Sequence, residues 1–204
     1  MINFTSEIKK YLQLLEKNLS ALNILQINQI ADVIQSAYDN GNTIFTMGNG
    51  GSGTTASHIV CDFNNGASAK LARKFKVMCL NDNVPSISAI ANDISYDAIF
   101  KEQLKNFLRP GDIVIGISAS GNSKNIIRAI EYANMSGATT IGFCGFDGGN
   151  LKKTAKYSIH VKTDDMKVTE DIHSIVSHIM MKMLSAELTK QKSKKNKLSS
   201  RSRV

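Results

Sequence analysis

The chain has 204 residues, of which 42% are hydrophobic and 21% are charged, and it contains only two prolines. This composition is typical of a globular domain and excludes a collagen-like or low-complexity chain. No apolar run reaches the roughly 18 residues that a membrane-spanning helix requires, and the N-terminal segment lacks the apolar region of a signal peptide. We therefore expect a protein of the cytoplasm with no membrane partner.

The formal net charge of +8 comes almost entirely from the C-terminal end of the chain. Seven basic residues and no acidic residue lie between Lys190 and Val204, whereas the rest of the chain is nearly neutral. We therefore expect one domain over residues 1–188 and a disordered basic tail over residues 189–204. The tail is either a solvated segment or an arm for an acidic surface, and we expect no nucleic-acid partner for the domain itself.

Three widely spaced cysteines each lie in or beside an apolar run: Cys61, Cys79 and Cys144. Their odd number and their spacing do not suit a disulfide framework or a cysteine-based zinc site. We therefore expect three buried free thiols, which are typical of a reducing compartment.

The predicted elements begin with helices and then alternate. Apolar residues at helical spacing predict two amphipathic helices in the first forty residues, and Asn40-Gly41 ends the second. Short apolar runs predict strands at 43–47, 76–80, 112–117, 139–144 and 157–161. The segments between them predict helices near 54–63, 85–91, 97–107, 123–136 and 147–154, and a last helix runs from about 168 to 190.

Apolar strands separated by helices are typical of a parallel sheet whose two faces are both covered. We therefore expect an α/β fold, a three-layer αβα sandwich built on a five-stranded parallel sheet. The first two helices should precede this sandwich as a helical hairpin.

A glycine-rich loop, residues 47–55, joins the first predicted strand to a helix. Its glycines at 48, 50 and 53 match the dinucleotide-binding pattern as a string, but the supporting acid is absent after the next strand. The loop also lacks the lysine of a Walker loop. It favours an anion held by free backbone N–H groups at a helix N-terminus, and an ordinary turn is the alternative.

A second loop, residues 116–125, follows the third predicted strand and contains three serines around a glycine. Such hydroxyls suit a phosphate held by neutral donors, although a serine can also serve as an ordinary helix cap. Ligands of open parallel sheets bind beyond the carboxyl ends of the strands. Two such loops at that edge therefore favour a phosphorylated ligand.

Histidines and acids at helical spacing indicate a candidate metal site. His58 and Asp62 are four residues apart and share a helix face, a spacing that suits zinc, although a solvated face is the alternative. The last helix offers Glu170 and His178, which are separated by roughly 12 Å of helix rise. These two can hold one ion only if Glu170 lies at a frayed helix start or if the site gathers residues from more than one chain.

Together these residues resemble the sugar isomerase (SIS) family and, within it, the phosphoheptose isomerases. The resemblance covers about residues 1–188 and is carried by both loops, His58, Asn92-Asp93 and the segment from Asp171 to His178. It implies a homotetramer with sites between subunits. It also implies conversion of sedoheptulose 7-phosphate to D-glycero-D-manno-heptose 7-phosphate through an enediol, with zinc bound in several members.

The resemblance implies roles for individual residues. It assigns the metal ion to His58, Asp62, Glu170 and His178, and proton transfer to Asp62 and His178. It assigns substrate contacts to residues of the loops, of the Asn-Asp pair and of the last helix: Asn49, Gly50, Gly51, Ser52, Asn92, Asp93, Ser118, Ala119, Ser120, Ser123 and Glu170.

Several positions depart from the family pattern. Asp62 stands where the family has a glutamate, and its carboxylate reaches roughly 1 Å less far, which matters for proton transfer. Glu170 replaces a glutamine, Ala119 a threonine, and Gly66 and Val168 replace arginines. Two histidines and two carboxylates still suit zinc. The altered polar contacts leave another sugar phosphate open as the substrate.

Two further functions stay open alongside the isomerase. One is a non-catalytic scaffold, of the kind in this branch that binds the bacterial replication initiator. The other is a module that senses sugar phosphates. The retained metal-type residues argue against the scaffold, and the sequence shows no DNA-binding domain that would accompany a sensor.

Overall fold

The structure is a computed structural model that describes residues 2–69, 71 and 73–201, and only the backbone of residues 192–201. The helices are α1 (Thr5–Ser20), α2 (Ile24–Asn40), α3 (Gly50–Cys61), α4 (Val84–Asp93), α5 (Ile99–Phe107), α6 (Lys124–Met135), α7 (Gly149–Thr154) and α8 (Met166–Arg201). The strands are β1 (Thr43–Gly48), β2 (Lys76–Cys79), β3 (Ile113–Ser118), β4 (Thr139–Cys144) and β5 (Tyr157–His160). A π-helical turn (Asp62–Ala67) follows α3, and a 3₁₀ turn (Tyr96–Ala98) precedes α5.

Local signals in the sequence set the ends of these elements. The Asn23 side chain accepts a hydrogen bond of 3.0 Å from the Gln26 N–H and starts α2. Gly41 ends α2 with a left-handed φ of 74°, as the Asn-Gly pair predicts. The helix predicted from residue 54 instead begins at Gly50, so the glycines of the first loop form its first turn.

The five strands form one parallel sheet in the order β2-β1-β3-β4-β5. The predicted α/β architecture is confirmed, including the helical pair that precedes the sheet. The chain passes from β1 out to β2 and then returns to the other side of β1 to form β3. This reversal creates a topological switch point between β1 and β3, where open α/β sheets bind ligands. Both predicted loops follow these two strands and meet at this crevice.

Two apolar layers cover the sheet. One contains buried side chains of α2, α3 and α8 packed on residues such as Ile44 and Ile115. The other contains side chains of α5 and α6 packed on residues such as Phe45 and Val114. Because successive strand residues point to opposite faces, this alternation produces the three layers. The buried core fixes the ends of β1 and β3, from which the two loops project.

Helix α8 extends beyond the sequence expectation. Its backbone continues to Arg201, whereas disorder was expected from residue 189. The segment is rich in lysine and lacks glycine and proline, so the backbone has no local reason to leave the helical conformation. Residues 202–204 of the expected tail lie outside the described residues, and the domain boundary at residue 188 stays a prediction. Among the described residues, no helix is both long and apolar enough to cross a membrane.

Candidate active site

The first loop is held in a fixed conformation by a neighbouring strand. The side chain of Asn81, beyond β2, accepts a bond of 3.1 Å from the Gly48 N–H and donates one of 2.7 Å to the Gly48 carbonyl. A Cβ atom at Gly48 would lie 2.4 Å from the Ser52 backbone, so only glycine allows the loop to close this tightly. Gly50 then adopts a positive φ of 52° and α3 begins. The loop is therefore pre-formed.

The second loop carries its hydroxyls at the neighbouring strand end. Ser118 donates a hydrogen bond of 3.0 Å to the Ser123 hydroxyl. The Ser120 hydroxyl accepts one of 3.2 Å from the Asn122 N–H. Ala119 is buried, and its methyl side chain offers no polar contact. The three serines therefore line a turn at the switch point, which is where the sequence predicts them.

Asn49, a predicted sugar contact, is engaged by two other side chains. It exchanges a pair of amide hydrogen bonds of 2.9 and 3.0 Å with Asn125, the second residue of α6. Its Oδ1 also accepts a bond of 3.0 Å from the Tyr96 hydroxyl. Neither Tyr96, which lies outside both loops, nor Asn125, the last residue of the second loop, is an expected site residue, because both meet Asn49 only through the topology.

Asn92 and Asp93 lie at the end of α4 with exposed side chains. The Asn92 amide donates a hydrogen bond of 2.8 Å to the Asp93 carboxylate. The structure therefore joins this predicted pair to each other and leaves its substrate contacts a prediction.

Helices α3 and α8 meet along a row of polar groups that we call the polar seam. It consists of Gly51, Thr55, His58 and Asp62 on the side of α3 and Glu170, Ser174 and His178 on the side of α8. Glu170 faces Gly51, Ser174 lies 3.5 Å from Thr55, and His178 faces His58. Residue numbers rise together on both helices, so α3 and α8 run in the same direction. The sequence could predict each helix face but not this alignment.

The far end of the polar seam holds a cluster of potential metal ligands. The Nε2 atoms of His58 and His178 lie 2.9 Å apart, and each lies 3.5 Å from Asp62 Oδ2. Asp62 Oδ2 is buried and has no hydrogen-bond partner in the described protein. Two imidazole nitrogens and an orphaned carboxylate oxygen are the donor set of a divalent metal, and their spacing resembles the roughly 3.3 Å between ligands of zinc. These residues therefore fit a metal ion.

Glu170, the fourth predicted ligand, lies apart from this cluster. Its carboxylate packs against Gly51 and forms an ion pair of 3.1 Å with Lys167. Helix α8 begins four residues earlier, at Met166, so a frayed start does not bring Glu170 towards His178. The eight-residue spacing left two ways for Glu170 and His178 to hold one ion, a frayed helix start or a site shared between chains. Only the shared site remains.

Two further positions that depart from the family pattern, 66 and 168, lie in a turn and in the core. Val168 is fully buried in the core, so its side chain does not border the loops. Gly66 lies in the π-helical turn, where an added Cβ would contact the Met181 sulfur at 3.4 Å. An arginine at position 168 would therefore require a rearrangement of the core, whereas a side chain at the exposed position 66 would make only an ordinary van der Waals contact with Met181.

Burial shifts the pKa of three groups near the polar seam. Desolvation lowers the pKa of His173 to about 4, and it raises the pKa of the Cys144 thiol to about 12 and that of Cys79 above its usual range. Both buried cysteines are therefore inert thiols. The expectation of three buried cysteines is wrong for Cys61, which is exposed because it faces away from the sheet at the end of α3.

A tyrosine of α1 is hydrogen-bonded to the first turns of α8. The Tyr11 hydroxyl donates a hydrogen bond of 2.6 Å to Asp171 Oδ2, and this bond to the carboxylate raises the pKa of Tyr11 to about 12. Asp171 follows Glu170 directly, so the contact links α1 to the polar seam.

Comparisons with known proteins agree with these features. The sequence profile of the SIS domain family matches residues 3–145. A probable phosphoheptose isomerase of Thermoplasma acidophilum is 40% identical over 178 residues, which are 87% of this chain and 97% of the relative. The phosphoheptose isomerase of Clostridium acetobutylicum is 36% identical over 195 residues, covering 94% and 98% of the two chains.

A solved structure of a phosphoheptose isomerase from Francisella tularensis matches the fold with a TM-score of 0.83 at 25% identity, over 90% of this chain and 96% of that one. Relatives of nearly the same length thus share both the sequence and the arrangement of strands that brings the loops together. The chain belongs to the SIS domain family and, within it, to the phosphoheptose isomerases.

Proposed function

We propose that this protein interconverts sedoheptulose 7-phosphate and D-glycero-D-manno-heptose 7-phosphate. One observation carries the proposal: α3 begins in the first loop and carries His58 of the His58–Asp62–His178 cluster near its other end. A ligand whose phosphate is held at the loops can therefore extend along the polar seam to the cluster. The relatives named phosphoheptose isomerase support the seven-carbon substrate.

In this proposal the two loops bind the phosphate and take no part in the chemistry. The first loop offers backbone N–H groups at the start of α3, and the second offers Ser118, Ser120 and Ser123. Their binding energy orients the reacting carbons, because contacts to a remote phosphate also act in the transition state.

We further propose zinc as the metal of the cluster, held by His58, Asp62 and His178. When bound, the ion would polarise the sugar's carbonyl oxygen as a Lewis acid. Glu170 completes the ligand set only from another subunit, since within one chain it faces Gly51. A zinc site that takes Glu170 from a second subunit would form only in an oligomer, such as the proposed homotetramer.

The proton transfers are assigned to the residues of the cluster. Asp62 removes a proton from the first carbon of the ketose and returns it to the second carbon, because a carboxylate can accept and release a proton at one position. Metal ligation and proton transfer compete for the same side chains. Without a metal on Nε2, His178 gives a proton to the oxygen at the second carbon, whereas bound zinc would polarise that oxygen instead. The enediol forms between the two transfers. The proton on the oxygen at the first carbon passes to the unprotonated His178, or to water when a metal occupies Nε2, as the aldehyde forms.

The proposal is tested by isotope exchange. The purified protein is incubated with sedoheptulose 7-phosphate in heavy water, with and without added zinc, and the first two carbons are followed by NMR. Deuterium at carbon together with an aldose product supports the isomerase. Exchange with another ketose phosphate but none with this one would overturn the heptose assignment. The absence of both exchange and zinc binding would favour the scaffold.

The zinc assignment is tested by binding alone. Equilibrium dialysis with zinc should give at least a tenfold weaker affinity for His178→Ala than for the unsubstituted protein, because one of three ligands is lost. His160→Ala is the matched control, since His160 lies at the end of β5, where it bonds to Phe146 and Lys152. Equal zinc affinity in all three proteins would contradict the ligand set.

The homotetramer and the cytoplasmic location are parts of the same proposal. Ile8 and Leu12 are 57% and 56% exposed on α1, and Ile179 and Met183 are 39% and 41% exposed on α8. Exposed apolar side chains on neighbouring helices favour a surface that is covered by another subunit. Sedimentation analysis that gives a stable monomer would contradict it.

A further inference from the structure

Three helices of the fold have an asparagine as the N-cap, the residue just before the first turn, and the role of that side chain differs among them. Asn23 and Asn83 cap α2 and α4 by accepting hydrogen bonds from the N–H groups of Gln26 and Ser86, at 3.0 and 3.2 Å. Asn49 occupies the same position at the start of α3 with an extended backbone, yet it forms no such bond. A residue type that normally caps helices is therefore diverted at the first loop.

Two side chains from other parts of the fold divert Asn49. Asn125 is 2% exposed, and it offers both an amide donor and an amide acceptor to Asn49. The Tyr96 hydroxyl donates to the same Asn49 oxygen that would otherwise cap the helix. Because Oδ1 already accepts two hydrogen bonds, the Asn49 side chain is held away from the N–H groups of α3.

This arrangement leaves the start of α3 without a side-chain cap, although the Glu170 carboxylate lies against Gly51. Among the residues that the structure describes, no side chain accepts a hydrogen bond from the N–H groups of Gly50, Gly51 or Ser52. Free N–H groups at a helix start bind anions well. An Asn49 cap would occupy one of these groups and place a carbonyl oxygen where an anion belongs.

The second loop shows the same behaviour independently. Ser123 is the N-cap residue of α6 and serine is another residue type that caps helices, but its side chain does not cap α6. Its hydroxyl instead accepts a hydrogen bond from Ser118. In both helices that start at the switch point, the side chain of the N-cap residue therefore forms no capping hydrogen bond.

We propose that Asn125 and Tyr96 are positioning residues that withhold the Asn49 side chain from α3, which keeps the N–H groups of Gly51 and Ser52 free for the substrate's phosphate. The inference rests on the proposed function for the identity of that phosphate. It assigns Asn49 a role in keeping the site open, in addition to any contact with the sugar.

The test measures binding of inorganic phosphate by ³¹P NMR titration. Asn125→Ala should weaken binding about fivefold to tenfold, because the loss of two of the three hydrogen bonds that hold Asn49 lets it cap α3 and compete with the anion. Tyr96→Phe should weaken it about threefold, because both bonds to Asn125 remain. Tyr96 is exposed, so this variant is expected to fold normally even if the buried substitution is harmful.

Matched controls lie at the opposite edge of the sheet. Asn134→Ala removes two comparable hydrogen bonds from the other end of α6, to Thr140 and Thr154. Tyr38→Phe removes a hydroxyl that bonds to the Arg73 carbonyl. Both controls should bind phosphate like the unsubstituted protein, and weaker binding in either would attribute the effects to general destabilisation and overturn the inference.

A second substitution separates positioning from direct contact. Adding Asn49→Gly to Asn125→Ala removes the competing cap and should restore phosphate affinity to within about twofold of the unsubstituted protein. If Asn49→Gly alone weakens phosphate binding as much as Asn125→Ala does, Asn49 contacts the anion directly and the inference is wrong. Failure of the unsubstituted protein to bind phosphate would also overturn it.

Catalysis and stability provide a further readout. Tyr96→Phe should raise KM for the sugar phosphate about threefold and leave kcat unchanged, while its Tm does not fall, because the new cap replaces the lost bond. A merely structural role would lower Tm. The phosphate titration does not depend on turnover, so it can succeed even if the protein isomerises a different sugar.

Discussion

Two histidines five residues apart on α8 have opposite environments. His173 is fully buried, packs against the Phe143 ring, and donates a hydrogen bond of 3.3 Å from Nε2 to the Cys144 carbonyl. His178 has a side chain that is 51% exposed and faces His58 and Asp62. Five residues turn a helix by about 140°, so one histidine belongs to the core and the other to the polar seam.

The contrast shows that residue type alone does not identify a functional histidine. Burial keeps His173 neutral, since a desolvated imidazole loses the charged form that water would stabilise. Its Nδ1 has no hydrogen-bond partner in the described protein, which adds to the cost of its position. His178 keeps access to solvent and to ligands. Substitutions on the two sides of α8 should therefore separate activity from stability.

The largest expected effect lies in the polar seam. Asp62→Asn should lower kcat about 10³-fold, because the amide cannot accept the carbon proton, whereas binding of inorganic phosphate stays unchanged. Steady-state kinetics and the phosphate titration measure the two quantities. Asp32→Asn on α2 is the control for loss of a carboxylate. Full activity in Asp62→Asn would remove Asp62 from the mechanism.

The buried side of α8 should respond to pH. The unfolded chain protonates His173 near its usual pKa of 6.5, whereas the folded protein does so only at about 4. Between these values the unfolded state binds more protons, so the free energy of unfolding falls as the pH decreases. The total loss from this group is about 3 kcal/mol, complete below pH 4 and absent above pH 6.5.

Urea unfolding between pH 7 and 4 measures this dependence. His173→Gln keeps an amide near the Cys144 carbonyl but does not titrate, so its stability should fall less steeply over this range. His160→Gln should retain the slope of the unsubstituted protein. An unchanged slope in His173→Gln would show that another group causes the acid sensitivity.

A substitution in the second loop extends this comparison of the two sides of α8 to a binding residue outside that helix. Ser120→Ala should raise KM about tenfold with little change in kcat, since one hydrogen bond to a charged phosphate is lost in both ground and transition states. Ser136→Ala, beyond the opposite end of α6, is the control. A drop in kcat without a change in KM would assign Ser120 to the chemical step.

The smallest expected effect is at the start of the polar seam. Glu170→Gln removes a carboxylate that lies against Gly51 and should strengthen binding of inorganic phosphate about threefold, because a partly exposed repulsion disappears. The titration at two salt concentrations checks the electrostatic origin, since the gain should shrink at high salt. Weaker phosphate binding in this variant would mean that Glu170 assists the ligand.

Much of the fold follows from local sequence signals. Gly41 ends α2 where the sequence predicts, and the apolar runs correspond to the five strands within one or two residues. The pairing of His58 with Asp62 also follows from helical spacing. These features depend on neighbours along the chain, which is why periodicity detects them.

The rest depends on contacts between distant segments. Tyr96 and Asn125 meet Asn49 only because β3 lies beside β1, and no local pattern encodes that strand order. The alignment of Glu170 with Gly51 depends on the packing of α8 on α3. The eight-residue spacing nevertheless predicted that Glu170 and His178 do not hold one ion within a single helix, and the structure separates them.

The starts of α3 and α6 also affect how quickly a ligand arrives. Neither helix has an acidic residue in its first turn, whereas α8 starts beside Asp165 and carries Glu170. Asn125 Oδ1 accepts a hydrogen bond of 2.9 Å from the Ile126 N–H and so partly caps α6. Each helix start still carries about half a positive charge, so the two together attract a dianion to the crevice between β1 and β3. Association rates of phosphorylated ligands should therefore decline as ionic strength rises, even though the folded domain is nearly neutral.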